Sequence, residues 1–426
     1  MNAIRLAAII ILALSLAGSA PAQTYDTNNE VVETFAGFGL AAYVDGQGIY
    51  SAFSDPSQIV SDTASNLYVL DAGNFRLRKI TASGTVTTYA GGGNYFEGYG
   101  TNVSLAWGSP GSLAIDHANQ LWLVLVPNSS GGAYLLGIDT NGYVSIKNGG
   151  LTNLTGSSGL CFDSGGNLYY SGGNRVYRYN PGTGVAQAFA GNGVAGNFDG
   201  QGTVFTAFNT PTALTCDEAD NIYVWDSGNG TVRRIDQNQN VATIAGQPGY
   251  YSMADGVGTN ATFGSGYNNS GVAAMFSDNA GNIYFVCGSC IRKMNAQTNV
   301  VTLAGTFNQY SGAFANGPGN LALFDNATGG CLSQGMVFVA DSGNNRIRSI
   351  AFNPQTQVLS PASLQLKTYA GLQITGTVGR TYQIQSSPDL KSWGTVTTLL
   401  LTASPYFWVD QNPVGGNKYY RAVQLP

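Results

Sequence analysis

One short sequence occurs three times in the chain, as "LDAGNFRLRKI" (Leu70–Ile80), "WDSGNGTVRRI" (Trp225–Ile235) and "ADSGNNRIRSI" (Ala340–Ile350). In each copy an Asp-x-Gly-Asn turn precedes a run in which Arg or Lys and aliphatic residues alternate. Alternation with a period of two is typical of a β-strand, because successive side chains point to opposite faces. A turn and a strand that recur in this way indicate a repeat protein.

The strand before this turn gives the repeat its spacing. Its first apolar residue recurs every 47 to 61 residues, at Leu67, Leu121, Leu168, Ile222, Ile283 and Val337. A full unit contains four strand patterns and no helical pattern, as in "PSQIVSD", "NLYVLD", "FRLRKIT" and "TVTTYAG". Such a unit is typical of a propeller blade, so the sequence predicts an all-β, six-bladed β-propeller.

The two ends of the repeat region lack complementary strands. "VVETFAG" (residues 31–37) is a fourth strand with no blade before it, and the sixth blade has no fourth strand of its own. We expect the N-terminal strand to complete the sixth blade. This pairing closes the ring and leaves no open sheet edge between the two ends.

The segment "DGQGIYSAFSDPSQIVSDTASNLYVLDAGNFRLRKITASGTVTTYAG" (residues 45–91) resembles the NHL-repeat family of β-propellers, and the resemblance extends over about three quarters of the chain. It implies a fold and no single function, since propellers include scaffolds, ligand-binding proteins, lyases and hydrolases. The pattern is broken in three places. Blade 2 lacks the Asp-x-Gly-Asn turn, blade 3 lacks an Asp-Gly-x-Gly loop before it, and blade 5 has Cys287-Gly-Ser-Cys290 in place of the turn.

The remaining segments differ in kind from the repeats. Residues 1–22 are interpreted as a secretory signal, with Arg5, an apolar stretch too short to span a bilayer, and Ala20-Pro21-Ala22 as the cleavage pattern. The propeller is assigned to residues 23–352 and a linker to residues 353–363. Residues 364–426 contain aromatic, alternating strand patterns and resemble the small β-sandwich module at the C-termini of many secreted bacterial proteins.

Composition limits the classes of partner. Charged residues make up 10% of the chain, the net charge is −5, and no basic run is present. A nucleic-acid groove requires clustered Lys and Arg, so nucleic acid is not an expected partner. No segment after the signal is long and apolar enough to span a membrane, and we expect a secreted or extracytoplasmic protein.

The inter-blade loops carry the candidate binding residues. Acidic residues open Asp-Gly-x-Gly or Glu-Gly-x-Gly loops, aromatic residues precede them, and inter-blade loops share a face with the turns between second and third strands. Aromatic planes beside polar acceptors suit sugars or peptide side chains. A competing interpretation is that the rings only hold their own loops in place. The candidates are Tyr43, Asp45, Tyr95, Phe96, Glu97, Phe198, Asp199, Tyr251, Asp255 and Phe314. A second aromatic set follows the loops, and Phe53, Trp107, Phe208, Phe263 and Phe324 are interpreted as core wedges between blades.

Catalytic groups are scarce. His117 is the only His, so a multi-His metal site is ruled out and a Ser-His-Asp triad is disfavoured. The Asp residues that end second strands are expected to cap tight turns. The third-strand arginines are expected to form a solvated, salt-bridging sheet edge. They are Arg76, Arg78, Arg233, Arg346 and Arg348. One Asp per loop does not supply the six to eight converging oxygens that Ca²⁺ requires, so no cofactor is expected.

The chain contains five Cys. Cys287 and Cys290 bracket a two-residue hairpin turn, and in an exported protein we expect them to form a local disulfide. Cys216 and Cys331 occupy equivalent positions in first strands and are expected to be small buried residues.

These features favour a secreted binding or scaffold protein whose partner, a protein or a carbohydrate polymer, contacts the inter-blade loop face. One alternative is an enzyme, a lyase or hydrolase at the channel mouth that uses carboxylates with or without one Ca²⁺ ion. Another is an envelope component with no specific ligand.

Overall fold

The structure is a computed structural model. It describes residues 30–106, 108–127, 132–147, 151, 153–155, 159–250, 252–264, 271–307, 313–352, 371–374, 377–402, 406–409 and 418–425. The predicted signal, the predicted linker and Tyr251 lie outside these residues. The described part of the chain consists of β-strands and short 3₁₀ turns, and contains no helix with the length and apolar character that a membrane crossing requires. Contacts divide the chain into two units, Met1–Gln355 and Thr356–Pro426.

Six antiparallel sheets make up the first unit, and the strands of each are named below in hydrogen-bonded order from the outer to the inner edge. Sheet 1 contains β2 (Gly46–Gln47), β6 (Thr85–Ala90), β5 (Arg76–Ile80), β4 (Leu67–Asp71) and β3 (Pro56–Ser61). Sheet 2 contains β7 (Gly98–Tyr99), β11 (Tyr143–Ile146), β10 (Tyr134–Ile138), β9 (Leu121–Pro127) and β8 (Gly108–Ile115). Sheet 3 has four strands, β15 (Val185–Ala190), β14 (Arg175–Asn180), β13 (Leu168–Gly172) and β12 (Leu160–Phe162).

The other three sheets repeat this order. Sheet 4 contains β16 (Gly200–Gln201), β20 (Asn240–Gly246), β19 (Thr231–Ile235), β18 (Ile222–Asp226) and β17 (Pro211–Cys216). Sheet 5 contains β22 (Gly256–Val257), β27 (Asn299–Gly305), β26 (Cys290–Met294), β25 (Ile283–Val286) and β24 (Ala274–Ser277), and is preceded by a ribbon of β21 (Met253–Ala254) and β23 (Thr262–Phe263). Sheet 6 contains β28 (Gly317–Pro318), β1 (Val31–Ala36), β31 (Arg346–Ala351), β30 (Met336–Asp341) and β29 (Ala327–Ser333).

The six sheets are arranged in a ring. Each of the inner strands β3, β8, β12, β17, β24 and β29 contacts the inner strand of the next sheet, and β29 of sheet 6 contacts β3 of sheet 1. The hydrophobic core is correspondingly divided into six clusters, one between each pair of neighbouring sheets. Phe53, Phe208, Phe263 and Phe324 are buried in four of these clusters, which confirms them as wedges. Trp107 lies outside the described residues, and Leu105 is buried between sheets 1 and 2.

The N-terminal strand β1 supplies the outer long strand of sheet 6. Val31 is opposite Ala351, and Val32 is opposite Ile350 in β31. Val32 is fully buried in the core between sheets 5 and 6. The chain therefore joins its first described strand to its sixth sheet, and β1 provides the fourth strand that the sequence of this repeat lacks.

The Asp-Gly-x-Gly segments form short fifth strands at the outer edges of the sheets. Gly46–Gln47 pairs with β6, and equivalent two-residue strands cover sheets 2, 4, 5 and 6. An uncovered strand edge invites pairing with other chains, and a short paired segment removes part of that edge. Sheet 3, whose preceding segment has no such motif, has only four strands among the described residues.

The Ala-Gly pairs that end the fourth strands require glycine for two reasons. Gly37 and Gly191 have φ angles of +91° and +96°, in the left-handed region that disfavours other residues. A Cβ atom at either position would also lie 2.7 Å from the carbonyl oxygen of Asn345 or Asn174. Each pair therefore lets the chain leave its sheet in close contact with the turn before the third strand.

The cysteines do not pair as the sequence predicts. A disulfide joins Cys161 of β12 to Cys216 of β17, whereas Cys287, Cys290 and Cys331 are free and buried. The prediction of a Cys287–Cys290 bond is therefore wrong. Cys331 is buried as expected, whereas Cys216 is only partly buried and is disulfide-bonded. Cys287 lies four residues after Ile283, where Asp226 lies after Ile222, and its side chain is buried at the interface between sheets 4 and 5. Contact with Cys287, together with burial, raises the pKa of the Cys290 thiol well above its usual range.

The second unit contains two small antiparallel sheets. One pairs β32 (Gly371–Ile374) with β35 (Tyr406–Val409), and the other has the order β34 (Gly394–Leu400), β33 (Thr381–Ser387) and β36 (Tyr419–Gln424). Ile374, Tyr382, Ile384 and Leu401 form a buried apolar cluster. The unit therefore has a core of its own.

The burial of Val32 gives a test of ring closure. Val32→Ala removes two methyl groups from the core between sheets 5 and 6, and we expect it to lower the free energy of unfolding by about 2 kcal/mol. Glu33→Ala on the same strand changes an exposed side chain and should lie within about 0.5 kcal/mol of the parent. Urea denaturation of the three proteins measures both effects, and equal curves for both variants would contradict the role of β1.

The disulfide gives a second test. Peptide mapping without reductant should recover Cys161 linked to Cys216, while Cys287, Cys290 and Cys331 react with an alkylating reagent only after unfolding. Because the bond spans 55 residues, a double Cys161→Ser/Cys216→Ser variant should lose about 4 kcal/mol by loop-closure entropy. Recovery of a peptide with a disulfide between Cys287 and Cys290 would contradict the pairing described here and support the bond expected from the sequence.

Candidate functional site

Four arginines lie fully buried between the sheets: Arg78 of β5, Arg233 of β19, Arg292 of β26 and Arg348 of β31. The expectation of a solvated edge is therefore wrong for Arg78, Arg233 and Arg348. The reason is that both faces of each third strand are covered, one by the neighbouring sheet and one by the inter-blade loop. A buried guanidinium requires charged and hydrogen-bonding partners, and each of these four has them.

Sheet 4 shows the arrangement in full. Arg233 Nη1 donates to Asp226 Oδ2 at 3.0 Å, and its Nη2 donates to Asp199 Oδ1 at 2.6 Å. The same two nitrogens also donate to the carbonyl oxygens of Ala207 and Phe198, at 3.1 and 2.9 Å. One side chain therefore ties the second strand and the inter-blade loop to the third strand.

The Asp residues that end second strands hold the turn and the loop together. Asp226 Oδ1 accepts from the backbone N–H of Asn209 at 2.7 Å, and its Oδ2 accepts from Asn229 Nδ2 at 2.7 Å. Asp71 and Asp341 make the equivalent bonds in sheets 1 and 6. The expected turn cap is present, and each carboxylate in addition binds a loop that lies 16 or 17 residues earlier in the chain.

Burial shifts the pKa of these carboxylates upward. Loss of water raises the pKa of Asp226 to about 6, because desolvation outweighs the hydrogen bonds from Asn209, Asn229 and Arg233. Burial likewise raises the pKa of Asp71 and of Asp341. These carboxylates have a structural role, because each faces an arginine and not an open cavity.

The candidate loop carboxylates also have partners within the protein. Asp45 Oδ1 accepts from Arg78 Nη2 at 2.6 Å, and Asp255 Oδ1 accepts from Arg292 Nη2 at 2.8 Å. Asp199 also accepts from the backbone N–H of Thr243, at 3.0 Å. In sheet 2, Glu97 accepts from the backbone N–H of Ile146 at 2.7 Å. These bonds anchor the short fifth strands. Each of the four acidic candidates therefore has a structural role.

The loops that carry Tyr43, Phe198 and Phe314 lie on one face of the ring. Side chains of the turns between second and third strands bind the loops that carry them, since Asn74, Asn229 and Asn344 donate to the carbonyl oxygens of Ala42, Gly196 and Ala313. The loops and these turns therefore meet on the same side, as the repeat geometry predicts. We call this side the loop face.

The aromatic side chains of these loops differ in their contacts and in their exposed fraction. The Tyr43 hydroxyl lies 2.8 Å from Thr88 Oγ1, and the Arg76 guanidinium lies 4.1 Å from the Tyr43 ring centroid. Arg346 lies 4.0 Å from the Phe314 centroid in the same way. Tyr43 and Phe314 are 45% and 39% exposed, whereas Tyr95, Phe96 and Phe198 are 69%, 59% and 65% exposed. Tyr43 and Phe314 thus staple their loops, and the other three present large apolar surfaces.

A cavity of about 890 Å³ lies among the six inner strands. No Lys, Arg or Glu is among its described lining residues, and its ionisable groups other than Cys are Asp62, Asp116 and His117. Asp62 accepts a hydrogen bond from Asn66 in its own turn. Asp116 accepts from the backbone N–H of Ala118 in its turn and from the Trp122 indole of β9. Within the part of the chain that the structure describes, no group of three His, Cys, Asp or Glu side chains could hold a metal ion.

The turns between first and second strands contain a feature that the repeat analysis missed. Asp217 accepts from the Asn221 backbone and side chain and from the Tyr223 hydroxyl, and Asp62, Asp163 and Asp278 do the same in their sheets. The signal is an Asp followed by Asn at the fourth and Tyr at the sixth position, which recurs in four of the six repeats. It stabilises the face opposite the loop face.

Comparison with known proteins supports a β-propeller. No protein-family model and no curated protein sequence matches the chain significantly. Among solved structures, the chain is similar to a protein of unknown function from Bacteroides thetaiotaomicron, with 19% identity, 76% of each chain covered and a TM-score of 0.57. It is also similar to auxiliary nutrient binding proteins from B. thetaiotaomicron (17%, TM-score 0.57) and Bacteroides ovatus (18%, TM-score 0.56), again over 76% of each chain. At these identities the likeness shows the fold alone.

Neighbouring arginines on β19 test the buried cluster. Arg233→Ala leaves the carboxylates of Asp226 and Asp199 without their cation, and we expect a loss of about 3–5 kcal/mol in unfolding free energy. Arg234→Ala removes the same charge from an exposed position and should cost about 0.5 kcal/mol or less. Chemical denaturation distinguishes the two, and similar losses for both variants would show that Arg233 is not a central tie.

Proposed function

We propose that the chain is a secreted, six-bladed propeller of NHL type that binds a protein or carbohydrate partner through its loop face. Each of the six sheets is one blade, and the second unit is a small β-sandwich. The Cys161–Cys216 disulfide supports an extracytoplasmic location, because disulfides persist mainly in oxidising compartments.

The observation that carries this proposal is the exposure of large rings on the loop face. Tyr95, Phe96 and Phe198 each leave more than half of their surface in water, while the carboxylates beside them are engaged inside the protein. Aromatic side chains are enriched where proteins bind partners, because a ring supplies a large apolar contact area beside a polar edge or group. The carboxylates of the cavity, Asp62 and Asp116, already accept hydrogen bonds within the protein, and together with the single His they give less support to catalysis.

The solved neighbours are compatible with this proposal. Two of them are auxiliary nutrient binding proteins, and a binding role for this chain is the function that the exposed rings favour. The ring provides support for several of these loops, since buried arginines bind the loops that enter sheets 1, 4, 5 and 6. A rigid loop loses little conformational entropy on binding.

The test compares exposed rings with a stapled one. A Tyr95→Ala/Phe198→Ala variant should weaken binding by about 1–3 kcal/mol for each ring that contacts the partner, with an unchanged melting temperature. Tyr43→Ala should instead lower the unfolding free energy by about 1–2 kcal/mol, because it removes a hydrogen bond and a cation–π contact. Binding is measured on a glycan array and against individually purified envelope proteins, with thermal melts of each variant. Full binding by the stable double variant would exclude these two rings from the site.

A further inference from the structure

The three-stranded sheet of the second unit has a polar outer face. On β33, Tyr382 and Ile384 are buried, so Gln383 and Gln385 between them point to the other side. Opposite them on β36 lie Val423 and Arg421, and on β34 lie Thr398 and Thr395. We call the surface formed by Gln383, Gln385, Thr395, Thr398, Arg421, Val423 and the adjacent Trp393 the amide face.

The planar groups of the amide face hold one another in position. Arg421 Nε donates to Gln385 Oε1 at 2.7 Å, and Gln385 Nε2 donates to Gln383 Oε1 at 2.7 Å. The Arg421 guanidinium lies 4.4 Å from the Trp393 ring centroid. The result is a fixed row of an indole, a guanidinium and two amides across three strands. Such a row presents donors and acceptors that need no reordering before they bind.

Arg421 keeps its charge available. Its side chain is exposed, and within the described residues it forms no ion pair with a carboxylate. Only its Nε is used by Gln385, and the terminal nitrogens donate to no described residue. The four buried arginines of the first unit each bind two or more protein acceptors. Arg421 differs from them because its side chain is exposed and binds a single described acceptor.

The charge of the second unit is opposite to that of the chain as a whole. Residues 356–426 contain five Lys or Arg and two Asp, a net charge of +3, whereas the whole chain carries −5. The exposed Arg421 guanidinium, on a unit with a net positive charge, complements an anionic group of a partner. Guanidinium groups bind carboxylates in a two-pronged geometry, and amides and hydroxyls exchange hydrogen bonds with sugar hydroxyls.

We propose that the amide face binds a carboxylate-bearing polysaccharide. Arg421 contacts a carboxylate, Gln383 and the neighbouring threonines contact hydroxyl groups, and the Trp393–Arg421 pair lies under a sugar ring. The amide face and the loop face are formed by different residues of the chain. A negative result for binding at one of them therefore does not exclude binding at the other.

The experiment measures binding of the full mature protein to polygalacturonate by affinity electrophoresis and calorimetry. We expect Arg421→Gln and Trp393→Ala each to weaken binding about tenfold or more, and Arg421→Lys to give an intermediate loss because the charge remains while the planar fork is lost. Arg380→Gln is the matched control, since Arg380 is exposed just before β33 and removal of the same charge there should leave binding within about twofold of the parent. Binding should also weaken as salt is raised.

Two other polymers identify the chemistry. Carboxyl-reduced polygalacturonate should bind at least tenfold more weakly than the acidic form, and polyglutamate should not bind comparably. Equal loss in Arg380→Gln and Arg421→Gln, equal binding of polyglutamate, or no binding of polygalacturonate would each overturn the proposal. Thermal melts of every variant show whether the unit remains folded, and the Arg421→Gln and Arg421→Lys pair gives the result if Trp393→Ala does not fold.

Discussion

The buried arginine of the third strand is the interaction on which the first unit depends. A propeller sheet must be joined to the loop that enters it, and in sheets 1 and 4 one guanidinium binds the Asp that ends the second strand, the Asp of the loop and two loop carbonyls. A buried ion pair often adds little net stability, because desolvation offsets the attraction. Breaking such a pair is nevertheless strongly destabilising, because removal of one partner leaves an uncompensated buried charge.

Sheets 5 and 6 show that the cluster tolerates one missing acid. In sheet 5 the second-strand Asp is replaced by Cys287, and Arg292 binds Asp255 and two carbonyls. In sheet 6 the loop acid is replaced by Asn316, which accepts from Arg348 Nη2 at 2.8 Å. In both sheets, one carboxylate and two backbone carbonyl oxygens bind the buried guanidinium. Among the described residues, sheets 2 and 3 have neither the buried arginine nor the Asp-x-Gly-Asn turn, and the disulfide joins the inner strand of sheet 3 to that of sheet 4.

Much of the fold follows from patterns that can be seen in the sequence, and much of the site does not. The repeat predicts the second-strand anchors, the pairing of residues 31–36 with the sixth repeat and the Phe wedges. These features can be inferred because the same position occurs in several copies of the repeat. Period-two alternation shows that Leu77 and Arg78 face opposite sides, but it does not show that both sides are covered. The burial of Arg78, and with it the use of Asp45, depends on how the loop folds back over the sheet.

The cysteines illustrate the same limit. Cys287 and Cys290 are neighbours in sequence, and a hairpin brings them together, which makes a local bond the simplest prediction. Cys161 and Cys216 are 55 residues apart, and they meet only because successive inner strands lie side by side around the cavity. The signal in the sequence is that both lie in the first strands of successive repeats, six or seven residues before an anchor.

The distribution of charge connects the fold to recognition. In the first unit the buried arginines of sheets 1, 4 and 5 bind the loop carboxylates Asp45, Asp199 and Asp255, so these carboxylates serve the fold, and the binding site proposed on the loop face relies on exposed rings. In the second unit Arg421 is held by an amide and an indole, which fix its direction without neutralising it. The repeat therefore uses charge to build its scaffold, whereas the smaller unit holds an exposed guanidinium. The two proposed sites differ in chemistry, one aromatic and one ionic, and if both bind one polymer, linkage in a single chain makes the second contact effectively intramolecular.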